Sequence, residues 1–272
     1  MKVKRTVGIA LLGIGAVISV FFVFSMGHPT ALSAAVSEAR LEDLPLLVVI
    51  PLQAELGHVQ GIATDGRRLW VTDVHRDTKT GTLSLFTLPS GDHLRTQEIQ
   101  EGERYHPGGI VLDAVSIWVP VAEYTRQGKS NILRLDKDDF HLLSRFSVDD
   151  HIGCLALDGD RLIGGNWDSR IFYWWDLAGH ELDHKSNPSP NRCQEIQIDR
   201  DFLVGSGLVG QGEGVIEWMD AKSLNVVRRL HCGKTDRGNE YTREGMTLFD
   251  GKLYLLPEDG HSRLFIYKME KS

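Results

Sequence analysis

Markers that would name a chemistry outright are scarce in this chain. It has three cysteines, Cys154, Cys193 and Cys232, and no CxxC spacing. That excludes a zinc ribbon; an extracytoplasmic site permits a disulfide, but an odd count leaves at least one thiol free. Buried, small apolar roles suit all three better. Positive charge is also short, with 30 Lys+Arg against 37 Asp+Glu, which argues against a general nucleic-acid surface. No helical periodicity appears after residue 34. The glycine runs Gly205-Ser206-Gly207 and Gly210-Gln211-Gly212-Glu213-Gly214 therefore precede no helix and read as a loop rather than a phosphate cradle. Ser206 has Val204 and Leu208 where a nucleophile elbow needs glycines.

What the chain does have is a short element repeated five times. It reads Gln60-Gly61-Ile62-Ala63-Thr64-Asp65-Gly66, then Gly108-Gly109-Ile110-Val111-Leu112-Asp113. It returns as Gly153-Cys154-Leu155-Ala156-Leu157-Asp158-Gly159, as Gln194-Glu195-Ile196-Gln197-Ile198-Asp199, and as Glu244-Gly245-Met246-Thr247-Leu248-Phe249-Asp250-Gly251. The steps between Ile62, Ile110, Leu155, Ile196 and Met246 are 48, 45, 41 and 50 residues. A strand-built repeat near that period marks a β-propeller. Asp-Gly at 65–66, 158–159 and 250–251 supplies tight turns into second strands such as Leu69-Trp70-Val71 and Leu253-Tyr254-Leu255. The fifth unit lacks an outer strand, and the extended run Pro45–Leu52 supplies one. The prediction is an all-β, five-bladed propeller of four-stranded blades over residues 44–272, closed into a ring by that N-terminal strand.

Residues 1–34 read as a targeting segment. Lys2, Lys4 and Arg5 precede Thr6–Phe24, which carries no charge. The pattern fits a cleaved signal peptide or an uncleaved membrane anchor, and either puts the remainder outside the cytoplasm. Residues 35–43 read as a polar linker. The expected product is a monomer, secreted or held at the outer face of the cell membrane through that segment.

A propeller brings the loops before its innermost strands together around the channel mouth. Four positions before each repeated apolar residue stand His58, His106, His151, Arg192 and Thr242. Two positions before stand Gln60, Gly108, Gly153, Gln194 and Glu244, and one before stand Gly61, Gly109, Cys154, Glu195 and Gly245. Three histidines in one column suit a divalent metal with an open position. They equally suit a hydrogen-bonded packing ring or the wall of a polar-ligand pocket. Glu244 and Glu195 are the candidate acid/base residues. Gln60, Asp73, Glu123, Asn166, Trp167, Arg192, Gln194 and Arg243 are candidate ligand contacts, with Trp167 as an aromatic platform.

The segments Gln60-Gly61-Ile62 … Leu69-Trp70 and Glu244-Gly245-Met246-Thr247-Leu248 … Lys252-Leu253-Tyr254 resemble those of the plant and bacterial type of glutaminyl cyclotransferase. That resemblance implies a secreted five-bladed propeller whose site, with a glutamate and tryptophans, lies at the channel mouth. The whole chain also resembles an uncharacterised family of exported bacterial propellers. Three functions stay open on these grounds. One is a binding module for a small polar ligand, with or without a metal. Another is a cyclotransferase-like or lactonase-like enzyme, and the third a protein-interaction scaffold. The fold alone cannot choose among them.

Overall fold

Asp65-Gly66, Asp158-Gly159 and Asp250-Gly251 turn the chain where the sequence places turns, with Gly66 at φ 83°, Gly159 at 63° and Gly251 at 66°. These left-handed values are cheap only for glycine. The computed structural model describes residues 35–269; the expected leader or anchor, 1–34, lies outside the described residues. Among the described residues no helix is long and apolar enough to cross a membrane.

The strands run in chain order as β1 (Ser37–Arg40), β2 (Leu46–Pro51), β3 (His58–Thr64), β4 (Arg68–His75), β5 (Thr80–Thr87) and β6 (His93–Glu98). Next come β7 (Arg104–Pro107), β8 (Val111–Leu112), β9 (Ser116–Glu123), β10 (Ser130–Asp136) and β11 (Leu142–Val148). They continue with β12 (Ile152–Asp158), β13 (Arg161–Asn166), β14 (Ile171–Asp176) and β15 (Glu181–Ser186). The last are β16 (Arg192–Asp199), β17 (Phe202–Val209), β18 (Glu213–Asp220), β19 (Val226–His231), β20 (Gly245–Phe249), β21 (Lys252–Leu256) and β22 (Arg263–Lys268).

Five antiparallel sheets form five blades. Blade 1 is β3–β6, blade 2 β7–β11, blade 3 β12–β15, blade 4 β16–β19, and blade 5 β20–β22 with β2 as its outer strand. β2 pairs antiparallel with β22, placing Val49 opposite Phe265. The ring therefore closes as the sequence predicts, and closure removes the open edges that an incomplete ring would expose.

Period-two alternation in each strand puts one apolar set on each blade face, and neighbouring blades bury those sets against each other. Five hydrophobic clusters result, one per blade boundary. Trp70 and Leu83 meet Ile110 and Phe140 between blades 1 and 2. Trp118 meets Leu162 and Trp175 between blades 2 and 3. Cys154 and Phe172 meet Cys193 and Met219 between blades 3 and 4. Trp218 meets Leu255 and Phe265 between blades 4 and 5. Tyr254 and Leu264 meet Val71 and Phe86 where blade 5 returns to blade 1. All three cysteines are buried and free. Burial raises their thiol pKa values, that of Cys154 to about 12.

Three local features differ from the sequence reading. Ser37–Arg40, within the expected linker, adds in parallel to β19 as a fifth strand of blade 4. Polar side chains hold it there: His231 Nε2 lies 2.8 Å from Glu38 Oε2, and Arg229 lies 3.4 Å from Glu38 Oε1. Gly205–Gly207, read as loop, lies within β17, which pairs along its whole length with β18. Backbone pairing needs no side chain, and only the 210–212 turn is irregular. The innermost strand of blade 2 is split. Gly108 still bonds within its own blade, Gly108 N to Pro120 O (2.9 Å), whereas Gly109 bonds to blade 3 through Gly109 N to Gly153 O (2.9 Å) and Leu155 N to Gly109 O (3.1 Å).

Candidate functional site

The repeated column meets on the axis, and Glu195 occupies its centre. Its two oxygens accept the backbone N–H of Ile62 at 3.0 Å and of Ile110 at 2.8 Å, and the N–H of Met246 is a third donor. One carboxylate thus joins blades 1, 2 and 5 to blade 4. The equivalent position is glycine in those three blades; in blades 1 and 2 the carboxylate crowds it, and in blade 5 the Ile62 side chain does, 2.7 Å from a Cβ on Gly245. A Cβ on Gly61 would stand 3.0 Å from Glu195 Oε2, and one on Gly109 would stand 2.7 Å from Oε1. Burial pushes the Glu195 carboxyl well above its ordinary range; the three N–H donors oppose this without cancelling it.

Glu195 also divides the channel. Below it opens a cavity of about 450 Å³ whose floor includes Ile110, Ile196 and Met246. Above it lies a pocket of about 340 Å³, lined by His58, Gln60, His106, Tyr124, His151, Asn166, Trp167, Gln194, Arg243 and Glu244 among others. The lower cavity is the larger, but the upper one gathers the titratable groups. Gln194 and Glu244 stand two residues earlier along their strands than Ile196 and Met246, nearer the channel mouth, and line the upper pocket while Ile196 and Met246 line the lower.

Nine of the thirteen residues singled out from sequence line the upper pocket. Asp73, Glu123, Arg192 and Glu195 do not. Asp73 is buried in blade 1, where it accepts Gly57 N at 2.6 Å and Thr82 Oγ1 and meets His75 Nε2 at 3.1 Å. Glu123 Oε2 accepts the N–H of Lys129 at 3.3 Å, and Arg104 lies 3.7 Å from its other oxygen. Arg192 donates to Gly210 O at 3.4 Å. Glu195 is the axial tie described above. Of the nine, Asn166 is satisfied within its own blade, donating to Asp150 Oδ2 at 3.0 Å and accepting Ile171 N at 2.9 Å. Gln60 donates its amide to Val59 O at 3.0 Å.

The three histidines part company. His106 stacks on Tyr124 with ring centroids 4.0 Å apart, and His151 meets Trp167 edge-on at 4.5 Å. His151 Nδ1 lies 2.9 Å from both Glu123 O and Thr125 O, so that nitrogen is the donor. Burial holds His106 well below the ordinary histidine range, with His151, His58 and Arg76 adding to the effect, and its Nδ1 is buried without a partner. Burial lowers His151 as well. Both rings are therefore neutral members of an aromatic wall with Tyr124 and Trp167.

Trp167 is presented by a strained turn. Asp168 and Ser169 follow it with φ of 58° and 49°. Such values in non-glycine residues need support from their surroundings. Arg126 binds Asp168 Oδ2 at 2.8 Å, and Ser169 donates to Cys193 O at 3.0 Å. The guanidinium of Arg126 also lies over the indole, 5.4 Å from its centroid. Arg76 covers Tyr124 in the same manner at 5.5 Å.

His58 turns instead to the acids. Its Nδ1 is 2.8 Å from Glu258 Oε1, off the in-line direction, and its Nε2 is 3.7 Å from Glu244 Oε1. Among the described residues His58, Glu244 and Glu258 are the pocket group whose potential metal-ligand atoms all lie within 4.8 Å of one another; the three histidines are not such a group. Arg243 Nε stands 4.0 Å from Glu244 and 3.8 Å from Glu258, so a cation already serves both carboxyls. Glu244 is 3% exposed. Burial pushes its carboxyl well above the ordinary range, and the nearby Glu258 raises it further. Glu258 is lowered, chiefly by His58. The two neighbouring carboxyls are thus pushed in opposite directions. Glu258, Tyr124 and Arg76 are not among the thirteen residues singled out from sequence.

A family model described as "Family of unknown function (DUF6454)" matches residues 43–203. No curated protein matches the chain. Several solved structures do. A glutaminyl cyclase from Myxococcus xanthus is 12% identical with a TM-score of 0.66, covering 86% of this chain and 98% of its own. A tail fibre of Staphylococcus aureus phage P68 is 15% identical with a TM-score of 0.57, covering 85% of this chain and 54% of its own. A putative exported protein from Bacteroides fragilis is 11% identical with a TM-score of 0.50, covering 85% and 76%. At these identities the likeness is one of fold.

Proposed function

Since the chain belongs to this family of unknown function, which brings no activity with it, we propose from the pocket's own chemistry that the protein is an exported propeller. In this reading it binds a small polar ligand above Glu195. The reading rests on Glu244. It is a buried carboxyl in the pocket wall, and the nearest side-chain nitrogens, His58 Nε2 and Arg243 Nε, stand 3.7 and 4.0 Å away, beyond hydrogen-bond length. An unpartnered buried polar group costs about 1–3 kcal/mol, and a ligand N–H or carbonyl that pairs with it recovers that cost. The wall of Trp167, Tyr124, His106 and His151 takes the ligand's apolar or planar part, and Gln194 and Arg243 border its polar end. The basic start and uncharged run of residues 1–34 support export.

The enzyme reading is favoured by one observation, the opposite shifts of Glu244 and Glu258. Glu244 enters as an acid that gives a proton to a leaving group, and returns as a base. Cyclisation of an N-terminal glutaminyl residue is a reaction of this type. The named activity of the Myxococcus xanthus propeller makes such peptides the first to test.

Titration calorimetry with glutaminyl dipeptides and small lactones, followed by an ammonia-release or hydrolysis assay, tests both readings. Binding that weakens about tenfold in Glu244→Gln supports the pocket. A wild type that binds none of them, or a variant that binds and turns over equally, sinks it.

A further inference from the structure

His58 stands between two carboxyls and offers a different nitrogen to each. Nδ1 is at hydrogen-bonding distance from Glu258, 2.8 Å, and Nε2 faces Glu244 at 3.7 Å. Glu258 is 42% exposed at the rim, whereas the Glu244 side chain is 4% exposed. A metal ion takes one imidazole nitrogen and leaves the other to orient the ring. Here both nitrogens face acids, and Arg243 already lies beside both carboxyls. The arrangement matches a chain for protons.

We propose that Glu258, His58 and Glu244 form a proton relay that charges and discharges the pocket acid from the rim. The inference rests on Glu244 being the working acid of the proposed pocket. It matters because a bound ligand excludes water from the pocket and shuts the direct route to solvent. The lateral route through His58 stays open.

The step balances without any added reactant. The Glu244 O–H bond breaks as its proton forms an N–H bond at His58 Nε2. The Nδ1–H bond breaks as that proton passes to Glu258. Glu244 becomes a carboxylate, Glu258 a carboxylic acid, and His58 remains neutral with its proton on the other nitrogen. Net charge in the group does not change; the negative charge moves from the rim to the buried carboxyl, where Arg243 and Arg76 face it. The 3.7 Å gap is longer than a direct hydrogen bond and is spanned by a carboxyl rotation or a bridging water. The charged and titratable groups facing this trio are Arg243, Arg76 and His106, with Glu195 below. The cations favour the carboxylate form at both ends. The opposite shifts of the two carboxyls agree with a proton resting on Glu244 and leaving for the rim.

Nitrogen-15 NMR of the imidazoles in the full chain tests this, with His58 assigned by its loss in His58→Gln. The relay requires the His58 proton to sit on Nδ1 while Glu244 is protonated. It requires the proton to move to Nε2 in the same pH step in which carbon-13 NMR sees Glu244 ionise. In Glu244→Gln that step disappears from both His58 nitrogens, and in Glu258→Gln the Nδ1–H preference is lost. A histidine that only props the wall shows no tautomer change. His58 holding its proton on Nε2 throughout, or nitrogens indifferent to both variants, overturns the relay. No ligand enters the measurement, so a pocket that binds none of the probes refutes the proposed ligand without touching this result.

Discussion

Glu195 accepts the backbone N–H of Ile110 at 2.8 Å across a blade boundary, in a ring whose other blades contact mainly their neighbours. The same carboxyl takes Ile62 and Met246. Replacing it by alanine leaves three buried N–H groups without an acceptor. At about 1–3 kcal/mol each, Glu195→Ala is expected to cost about 3–9 kcal/mol. Urea denaturation of the variant checks this. A midpoint close to that of wild type would show that water replaces the carboxyl.

Acidity gives a second expectation. Burial raises Glu244 in the folded state, with Glu258 adding to it, so the folded protein binds a proton that the unfolded chain releases. Stability from this group is fully present below the ordinary glutamate range. It is lost as pH rises through the raised folded value. Glu244→Gln, which cannot ionise, should lose less stability than wild type between about pH 5 and 8, a window that begins just above the ordinary carboxyl range. Denaturation curves at three pH values decide it.

Trp167 gives a third. Its indole is half-buried and lies against His151. Trp167→Ala should therefore weaken binding of any pocket ligand by about tenfold or more, as aromatic anchors do, while the denaturation midpoint moves little. Fluorescence quenching at Trp167 on ligand addition is the companion measurement. A variant that binds equally well removes the aromatic wall from recognition.

The fourth concerns β1. His231 is raised by its contacts with Glu213 at 2.6 Å and Glu38 at 2.8 Å, with Glu213 the larger cause. Both ring nitrogens face carboxylates, which only the protonated ring can donate to. Attachment of β1 is therefore firmest below the ordinary histidine range and loosens as pH rises through the raised value. Amide exchange at Glu38 and Ala39 should speed up, relative to β18, over that rise. His231→Ala should show the fast exchange at all pH values.

The repeat made the architecture readable because it combines two independent signals. Ile62, Ile110, Leu155, Ile196 and Met246 recur in short extended runs at steps of 41 to 50 residues, and Asp-Gly fixes where the chain reverses in three of the five units. All five are buried. β1 gave no such signal: Ser37–Arg40 has no apolar alternation, and its place depends on backbone pairing with β19 and on the contacts of Glu38 with Arg229 and His231. The pocket was legible as a column, since alignment alone brings His58, His106 and His151 to one rim. Which way each ring turns was not, because that depends on Glu258, Tyr124 and Arg76, which sit on loops of unequal length. Glu195 had its warning in the alignment. It replaces glycine at a position where three other blades keep it, which signals a side chain that needs room on the axis more than one that meets a ligand.

Blade 5 takes β2 from one end of the chain and β20–β22 from the other. During synthesis four blades have emerged before β22 exists to receive β2. Leu46, Leu47 and Val48 stay exposed even in the finished ring, at 48%, 48% and 40%, and before closure Ile50 and Leu52 are uncovered beside them. The nascent protein therefore carries a loose apolar strand for most of its time on the ribosome. It is the stretch that a chaperone, or a second nascent copy, would meet first.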